Sequence, residues 1–277
     1  MFSSSSRNRL TVHDVGRFAG DTLFDRVARA ACSARCLPRK ELYETWEMAR
    51  RVRRLFRGGR VIDLGGGHGL LAHIMLLLDD SSPSAVVIDK ALPASSAKLH
   101  TVLLQAWPRL SGRIEFVTSG LDAFDISHTD VVVSSHACGA LTDRVLDRAI
   151  AANARVAVLP CCHNLRVANE RPPAPRLRRG LAVALRAKPD ASEPTRAERG
   201  SGAPARERIG EFEGRKPLEL ISEARGLSGW LDGPAAIDVM RALRLTQHGY
   251  RVWTQMIPAE ITAKNRLLLG APLPPRT

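Results

Sequence analysis

The chain has 277 residues, of which 44% are hydrophobic and 25% charged, and its formal net charge is +13. This length is enough to bury one sizeable α/β core with additions. The longest apolar run, residues 70–78, contains His73 and is much shorter than the ~20 residues of a membrane span. The Ser- and Arg-rich start has no apolar core like that of a secretory signal, and five clustered cysteines are too few for a disulfide framework. We therefore expect a reduced, cytoplasmic protein with no membrane partner.

The positive charge is distributed unevenly along the chain. Residues 1–60 carry a net charge of +8 and residues 166–217 carry +6, whereas residues 61–165 carry −3. Clustered basic charge is the electrostatic signature of polyanion binding. An arginine-rich solubilising surface gives the same composition, so both interpretations stay open at this point.

The first sixty residues predict a tail and helices. Residues 1–10 predict a disordered tail, and residues 11–35 predict one or two short helices. Pro38 opens a stronger helix over residues 39–57, which has one apolar stripe and a basic remainder. The basic side chains suit the negative end of the helix dipole, and they are numerous enough to contact nucleic acid. The stripe is Leu42, Trp46, Ala49, Val52 and Phe56, and the basic residues are Arg50, Arg51, Arg53, Arg54 and Arg57. Upstream, Cys32 and Cys36 lie four apart on a predicted helix and are interpreted as packing residues.

From residue 60 the pattern alternates between strand, turn and helix. Apolar strands separated by amphipathic helices, such as the helix predicted over residues 141–152, indicate a parallel sheet covered on both faces. Residues 166–216 interrupt this pattern with a long, basic, Pro- and Arg-rich irregular insertion. A helix near residues 237–245 and two late strands, joined by a short turn of helix at 259–264, follow it. The predicted strands are 60–64, 85–89, 114–117, 130–135, 155–160, 250–257 and 266–270. The expected organisation is a tail and helical segment (1–58), the cofactor-binding half of a domain (59–165), the insertion (166–216) and the C-terminal half (217–277).

A glycine-rich turn follows the first strand. Glycines let the backbone bend tightly and leave no side chain to block a ligand, and the next helix points its positive end at the turn. A dinucleotide fingerprint needs glycine at its sixth position, where this chain has Leu70. Instead the sequence reads Asp63-x-Gly65-x-Gly67-x-Gly69. This pattern resembles motif I of the class I S-adenosylmethionine-dependent methyltransferases.

The resemblance implies an α/β, Rossmann-like fold with a seven-stranded, mostly parallel sheet, a late antiparallel strand and added N-terminal helices. It implies S-adenosylmethionine as the cofactor. The turn residues would approach the amino-acid part of the cofactor and its ribose, and Asp63 would act indirectly or through water on the ammonium group. Asp89, followed by Lys90 after the second strand, would accept hydrogen bonds from the ribose hydroxyls. Asp122 would lie near the adenine amino group, with a helix N-cap as the alternative role. The cofactor residues predicted in this way are Asp63, Gly65, Gly66, Gly67, Gly69, Asp89, Lys90 and Asp122.

Two unusual clusters end the fourth and fifth strands, where open α/β sheets bind their ligands. The first is His136-Ala137-Cys138-Gly139, and the second is Pro160-Cys161-Cys162-His163. These motifs resemble a sub-family of methyltransferase domains similar to the eukaryotic tRNA 2′-O-methyltransferases and related methyltransferase-like proteins. The KELYETWEMA helix and the C-terminal GYRVWTQMIPAEITAKNRLLLGAP resemble the same sub-family. The candidate catalytic residues are His136, Cys138, Cys161, Cys162 and His163.

Three chemical roles for these clusters compete with simple packing of small side chains. A histidine would act as a general base or orient the acceptor, a cysteine would be a nucleophile, or Cys and His would hold zinc. The adjacent Cys161-Cys162-His163 spacing is poor for one tetrahedral ion, so no metal is expected. No Asn-Pro-Pro-Tyr-type turn follows the fourth strand, which disfavours adenine N6 methylation. The sequence thus predicts a methyltransferase that acts on RNA, held by the basic helix 39–57 and the insertion 166–216. The alternatives are a protein or small-molecule methyltransferase and a non-catalytic nucleotide- or RNA-binding module.

Overall fold

The structure is a computed structural model that describes residues 3–135, 137–160 and 231–274. Within these residues the helices are α1 (Leu23–Ala34), α2 (Arg39–Leu55), α3 (Leu70–Leu78), α4 (Ser95–Ala106), α5 (Ala140–Ala151) and α6 (Gly233–Gln247). The strands are β1 (Val61–Leu64), β2 (Ala85–Asp89), β3 (Ile114–Thr118), β4 (Val131–Ser134), β5 (Arg155–Val158), β6 (Tyr250–Met256) and β7 (Arg266–Pro272). Short 3₁₀ turns cover Val12–Arg17, Pro108–Leu110 and Leu121–Ala123.

All seven strands form one sheet in the order β3-β2-β1-β4-β5-β7-β6. Strands β1 to β5 pair in parallel, and β7 is antiparallel to both β5 and β6. This is the predicted Rossmann-like sheet with its late antiparallel strand. Its two central strands, β1 and β4, are buried along their whole length because helices cover both faces. None of the helices within the described ranges has the length and apolarity of a transmembrane segment.

The strand order reverses at the centre of the sheet, where the chain runs outward from β1 to β3 and then returns to β4 on the other side of β1. Open α/β sheets bind ligands in the crevice at such a reversal, beyond the carboxyl ends of the strands. The topology therefore brings the glycine-rich turn after β1 and the loop after β4 to the same edge of the sheet. In the sequence, by contrast, these two segments follow different strands and are not neighbours.

The beginning of the chain is more ordered than its composition predicts. Leu10 is fully buried, and its N–H donates to the Leu37 carbonyl at 2.8 Å. The N–H of Lys40 donates to the Ser6 carbonyl at 2.9 Å. The prediction of a disordered tail over residues 1–10 is therefore wrong for residues 3–10, because this segment pairs with the loop before α2.

The connection between β6 and β7 also differs from its prediction. Residues 259–264 make a single hydrogen-bonded turn, in which the Ile261 N–H donates to the Pro258 carbonyl at 3.1 Å, instead of a short helix. The buried amide of Asn265 donates to the Ile257 carbonyl at 2.9 Å and closes the connection from its far end. The Ile257 N–H also donates to the Asn265 carbonyl at 2.9 Å, so these two residues join the ends of the connection.

The basic end of α2 is a structural anchor. Arg53 is 2% exposed, donates from Nε to the Met75 carbonyl at 3.0 Å, and places Nη1 3.0 Å from Asp79 Oδ2. Burial opposes ionisation of Asp79, but hydrogen bonds from Ser81 and Gly58 and the Arg53 charge together lower its pKa to about 2. The guanidinium therefore caps the C-terminal end of α3, where carbonyls lack helical partners.

The anchor changes the interpretation of the arginines on helix 39–57. Arg53 is enclosed in the core, while Arg50 and Arg51 both pair with Glu47 on their own helix. Arg57 is exposed but donates to the Leu78 carbonyl. Of the five arginines that the sequence left open for nucleic-acid contact, Arg54 is the one whose side chain is exposed and makes no bond to the described residues.

We predict that Arg53→Ala lowers the free energy of unfolding by about 3–5 kcal/mol, because it removes the buried cation of Asp79, whose remaining cationic neighbour is the exposed Arg57 at 3.6 Å. Chemical denaturation at neutral pH measures this loss. Arg54→Ala, at the exposed neighbouring position, is the matched control and should change stability by less than about 0.5 kcal/mol. Equal losses in the two variants would show that Asp79 does not depend on Arg53.

Candidate active site

The glycine-rich turn is fixed to the end of β2 by backbone hydrogen bonds. The N–H groups of Gly65 and Gly66 donate to the Ile88 carbonyl at 2.8 and 3.3 Å. Gly65, Gly67 and Gly69 have φ angles of +67°, +50° and +76°, in the left-handed region that favours glycine. The turn then closes on itself, because the Gly69 N–H donates to the Gly66 carbonyl at 2.8 Å. Three glycines in alternate positions are thus required by backbone conformation.

The glycines differ in what a side chain would meet. A Cβ on Gly66 would lie 2.7 Å from Asp63 Cγ and 2.8 Å from Val87 Cγ1, so the turn packs directly against β1 and β2 at this residue. A Cβ on Gly67 would meet no atom of the described residues within 4 Å. Gly66 is therefore required by packing, whereas Gly67 presents bare backbone to an open space.

That open space is a cavity of about 420 Å³ at the carboxyl edge of the sheet. Four of the predicted cofactor residues line it, and so do five residues that the sequence did not single out. Glu41 lies in the first turn of α2, within the KELYETWEMA segment, which is the one signal that pointed towards it. The predicted residues are Gly65, Gly67, Asp89 and Lys90, and the others are Glu41, His68, Pro93, Leu121 and Leu141.

Asp89 accepts backbone hydrogen bonds from both sides of the cavity floor. Its Oδ2 accepts a hydrogen bond from the Gly67 N–H at 3.1 Å, and its Oδ1 accepts one from the Ala91 N–H at 3.2 Å. Each carboxylate oxygen has a second acceptor site. The carboxylate is thus held in one orientation with acceptor capacity left for a diol in the cavity.

Asp63 lies behind the turn rather than in the cavity lining. It is 1% exposed, and neither carboxyl oxygen accepts a hydrogen bond of regular geometry from the described residues. Burial raises the pKa of Asp63 to about 7, the charges of Asp89 and Glu41 add to this, and the first-turn N–H of Ala72 partly offsets it. A cation in the cavity would favour the ionised form of Asp63.

A histidine pair, in which His73 is fully buried and His100 partly buried, supports the turn from the α3 side. His73 Nδ1 lies 2.6 Å from the Gly69 carbonyl, which can only accept, so Nδ1 carries the proton. His73 Nε2 therefore accepts from His100 Nδ1 at 2.9 Å. Burial lowers the pKa of His73 to about 4, which keeps the ring neutral at physiological pH. The residue that interrupts the apolar run 70–78 thus fixes the last carbonyl of the turn.

The N-terminal end of α2 closes the cavity opposite Asp89. Glu41 Oε1 lies 3.7 Å from His68 Nδ1, and both side chains are mostly buried at the cavity wall. An acid and an imidazole from two separate segments therefore face the space beside the glycine turn. This arrangement can hold a group that carries both an ammonium and a carboxylate.

Asp122 is placed differently from its predicted role. Its side chain is 66% exposed and pairs with Arg144, while the neighbouring Leu121 lines the cavity. The short helical turn Leu121–Ala123 has Gly120 at its N-cap, so Asp122 does not occupy the cap either. The cavity wall at this point is apolar, which suits the flat face of a purine better than its amino group.

Of the predicted catalytic residues, the structure describes Cys138. It is exposed in the loop between β4 and α5, and this loop leads to Leu141 on the cavity wall. His136, Cys161, Cys162 and His163 lie outside the described residues. In the part of the chain that is described, no group of three or more His, Cys, Asp or Glu side chains could hold a metal ion.

Residues 40–169 match a protein-family model described as a methyltransferase domain. This part of the chain, slightly under half of its length, is therefore similar to a methyltransferase domain. The chain is also 26% identical over 223 residues to the Glutathione S-transferase C-terminal domain-containing protein of Xenopus laevis. That alignment covers 78% of this chain but 31% of the relative, so the chain spans less than a third of the curated protein that it matches.

Solved structures of other proteins are similar to this chain at low sequence identity. An O-methyltransferase family protein from Burkholderia thailandensis is 17% identical with a TM-score of 0.44, covering 98% of this chain and 66% of its own. TrmK from M. capricolum, in complex with S-adenosyl-homocysteine, is 17% identical with a TM-score of 0.31, covering 41% of this chain and 50% of its own. The strand order and the cavity described above, rather than these scores, define the fold and the site.

We predict that Gly66→Ala destabilises the protein more than Gly67→Ala does. The new methyl group at residue 66 would overlap Asp63 and Val87, whereas the change at residue 67 costs about 1 kcal/mol of left-handed backbone strain. Thermal unfolding compares the two variants. If Gly67→Ala has the lower melting temperature, the division between a packing glycine and an open glycine is incorrect.

Proposed function

We propose that this protein is an S-adenosylmethionine-dependent methyltransferase that acts on RNA. The observation that carries the cofactor assignment is Asp89, whose two carboxylate oxygens are oriented by the Gly67 and Ala91 N–H groups at the floor of the cavity. A fixed carboxylate at this place after the second strand is suited to a ribose diol. The bare backbone of Gly67 lets the cofactor approach closely.

The remaining cavity residues fit the other parts of the cofactor. The cavity of about 420 Å³ is within the usual range for small-molecule sites. The Glu41 carboxylate would accept hydrogen bonds from the ammonium of an amino-acid group, and a His68 ring N–H would donate to its carboxylate. The buried Asp63 adds a second acid behind Gly66. Leu121 and Leu141 give an apolar wall for a base. Bound S-adenosylmethionine would supply an activated methyl group, so this chain mainly has to position the acceptor in line with it.

An acceptor hydroxyl or amine must lose a proton during transfer. The loop after β4 leads into Leu141 of α5, which lines the cavity, and His136 precedes Cys138 by two residues in the sequence. We assign His136, with His163 as its counterpart after β5, to orient the acceptor or to take this proton. Cys138, Cys161 and Cys162 would shape the same acceptor site.

We predict that Asp89→Ala weakens binding of S-adenosylhomocysteine by about 1–3 kcal/mol, because the ribose hydroxyls lose a charged acceptor. Isothermal titration calorimetry measures the change. Asp80→Ala removes an exposed carboxylate that pairs with Arg109, away from the cavity, and serves as the control. Equal affinities of wild type and Asp89→Ala would remove the ribose assignment.

The proposed RNA-binding surface includes the N-terminal segment. Arg7, Arg9 and Arg35 have exposed side chains with no acidic partner among the described residues, and Arg9 pairs through its backbone with Pro38 at the start of α2. The bridge to Pro38 places Arg9 beside the start of α2, the helix whose first turn carries Glu41 of the cavity wall. Lys98 is a further exposed cation, on α4. The basic insertion 166–216 adds further cationic residues in the sequence.

We predict that radiolabelled methyl groups enter the RNA fraction rather than the protein or metabolite fraction, and that treatment with nuclease removes this label. RNA affinity should fall steeply with salt, and Arg9→Ala combined with Lys98→Ala should reduce the log–log salt slope by about 1 per lost phosphate contact. Arg251→Ala, an exposed cation on the far edge strand β6, is the control. Labelling of protein or metabolites that survives nuclease would identify the alternative acceptor class.

A further inference from the structure

Arg241 on α6 is a buried cation that reaches across to α5. Its side chain is 4% exposed, and Nε and Nη2 donate to Asp143 Oδ1 and Oδ2 at 2.8 and 2.9 Å. The same Nη2 donates to the Gly139 carbonyl at 3.0 Å. The planar guanidinium therefore binds a carboxylate with two parallel bonds and a loop carbonyl at the same time.

The bonded carbonyl belongs to the loop that carries Cys138. Gly139 has φ +59° and ψ −129°, a conformation that side-chain-bearing residues rarely adopt. From the α5 side, the N–H of Thr142 donates to the Gly139 carbonyl at 3.1 Å and the N–H of Leu141 donates to the Cys138 carbonyl at 3.2 Å. The loop is thus held between the first turn of α5 and a side chain from α6, 102 residues later in the sequence.

A second acid balances the charge of this contact. Arg241 Nη1 lies 3.2 Å from Asp238 on the same helix, and Asp238 also pairs with Arg266 on β7 at 2.7 Å. Burial would lower the pKa of Arg241, but the hydrogen bond and charge of Asp143, with the charge of Asp238, raise it overall. The guanidinium stays ionised, so the contact with Gly139 is a charge-assisted hydrogen bond.

This contact also reaches the cofactor cavity. Leu141 lies between Gly139 and Asp143 in the sequence, so both residues bonded by Arg241 flank it. Leu141 lines the cavity, and its Cδ2 is 3.9 Å from the position that a Cβ on Gly65 would occupy. One side chain on α6 therefore holds both the Cys138 loop and the wall that faces the glycine turn.

We propose that Arg241 is a positioning residue for residues 137–143, which comprise the end of the β4–α5 loop and the first turn of α5. It fixes the loop backbone against α6 and so sets where the groups of this loop stand relative to the cofactor. Its effect on turnover rests on the proposed function, whereas its effect on the loop does not.

The test compares Arg241→Lys with Arg244→Lys. Lysine keeps the charge but cannot bind both carboxylate oxygens and the carbonyl in one plane. Arg244 pairs with Asp147 on α5 one helical turn further on, without touching the loop, and is the matched control. Asp143→Asn weakens the same contact from the α5 side. It is the variant to measure if Arg241→Lys does not fold.

Hydrogen–deuterium exchange of the 137–143 segment is the first readout. We expect exchange about tenfold faster in Arg241→Lys and Asp143→Asn, from the loss of one charge-assisted hydrogen bond, and wild-type exchange in Arg244→Lys. Affinity for S-adenosylhomocysteine should fall less than kcat on RNA, because Asp89 and the glycine turn keep their bonds while only the Leu141 wall and the loop lose support.

Exchange in Arg241→Lys that is no faster than in Arg244→Lys would overturn the proposal. So would an increase spread equally over α6 and β7, since that pattern reports general destabilisation. If wild-type protein binds no S-adenosylhomocysteine, the proposed function fails, and the exchange comparison still decides the role of Arg241.

Discussion

The site depends on the close approach of the glycine-rich turn to β1 and β2 at Gly66. A single Cβ there would overlap both Asp63 and Val87, so the turn can occupy this place only without a side chain. From this position the Gly67 N–H donates to Asp89, and Gly69 is the N-cap of α3. The orientation of the carboxylate, the direction of α3 and the open cavity above Gly67 all follow from one packing constraint.

Buried arginines connect the outer helices to this centre. Arg53 fixes α2 to the end of α3, and Arg241 fixes α6 to the beginning of α5. In both cases a guanidinium satisfies backbone carbonyls and a carboxylate together, which compensates for its removal from water. The basic composition of the chain is therefore partly structural. Among the described residues, exposed arginines without an acidic partner include Arg7, Arg9 and Arg35 before α2 and Arg54 on it.

Local patterns predicted the elements closely. β2 has its predicted bounds of residues 85–89, and the other strands differ from prediction by one or two residues at their ends. The buried Cys32 and Cys36 agree with their interpretation as packing residues. The errors, at residues 3–10 and 259–264, fall where the chain bonds to distant segments or to an asparagine side chain, because hydropathy does not record such contacts.

The sequence by itself determined the sheet, the glycine turn and the acid after β2, because these depend on periodicity and on residues that are neighbours in the chain. The tertiary structure alone decided that Glu41 and Leu141 close the cavity, that Asp122 turns away to Arg144, and that Arg53 and Arg241 are internal. Each of these outcomes joins residues that are far apart in the sequence. Their positions depend on how helices pack onto a finished sheet, and no local pattern encodes that packing.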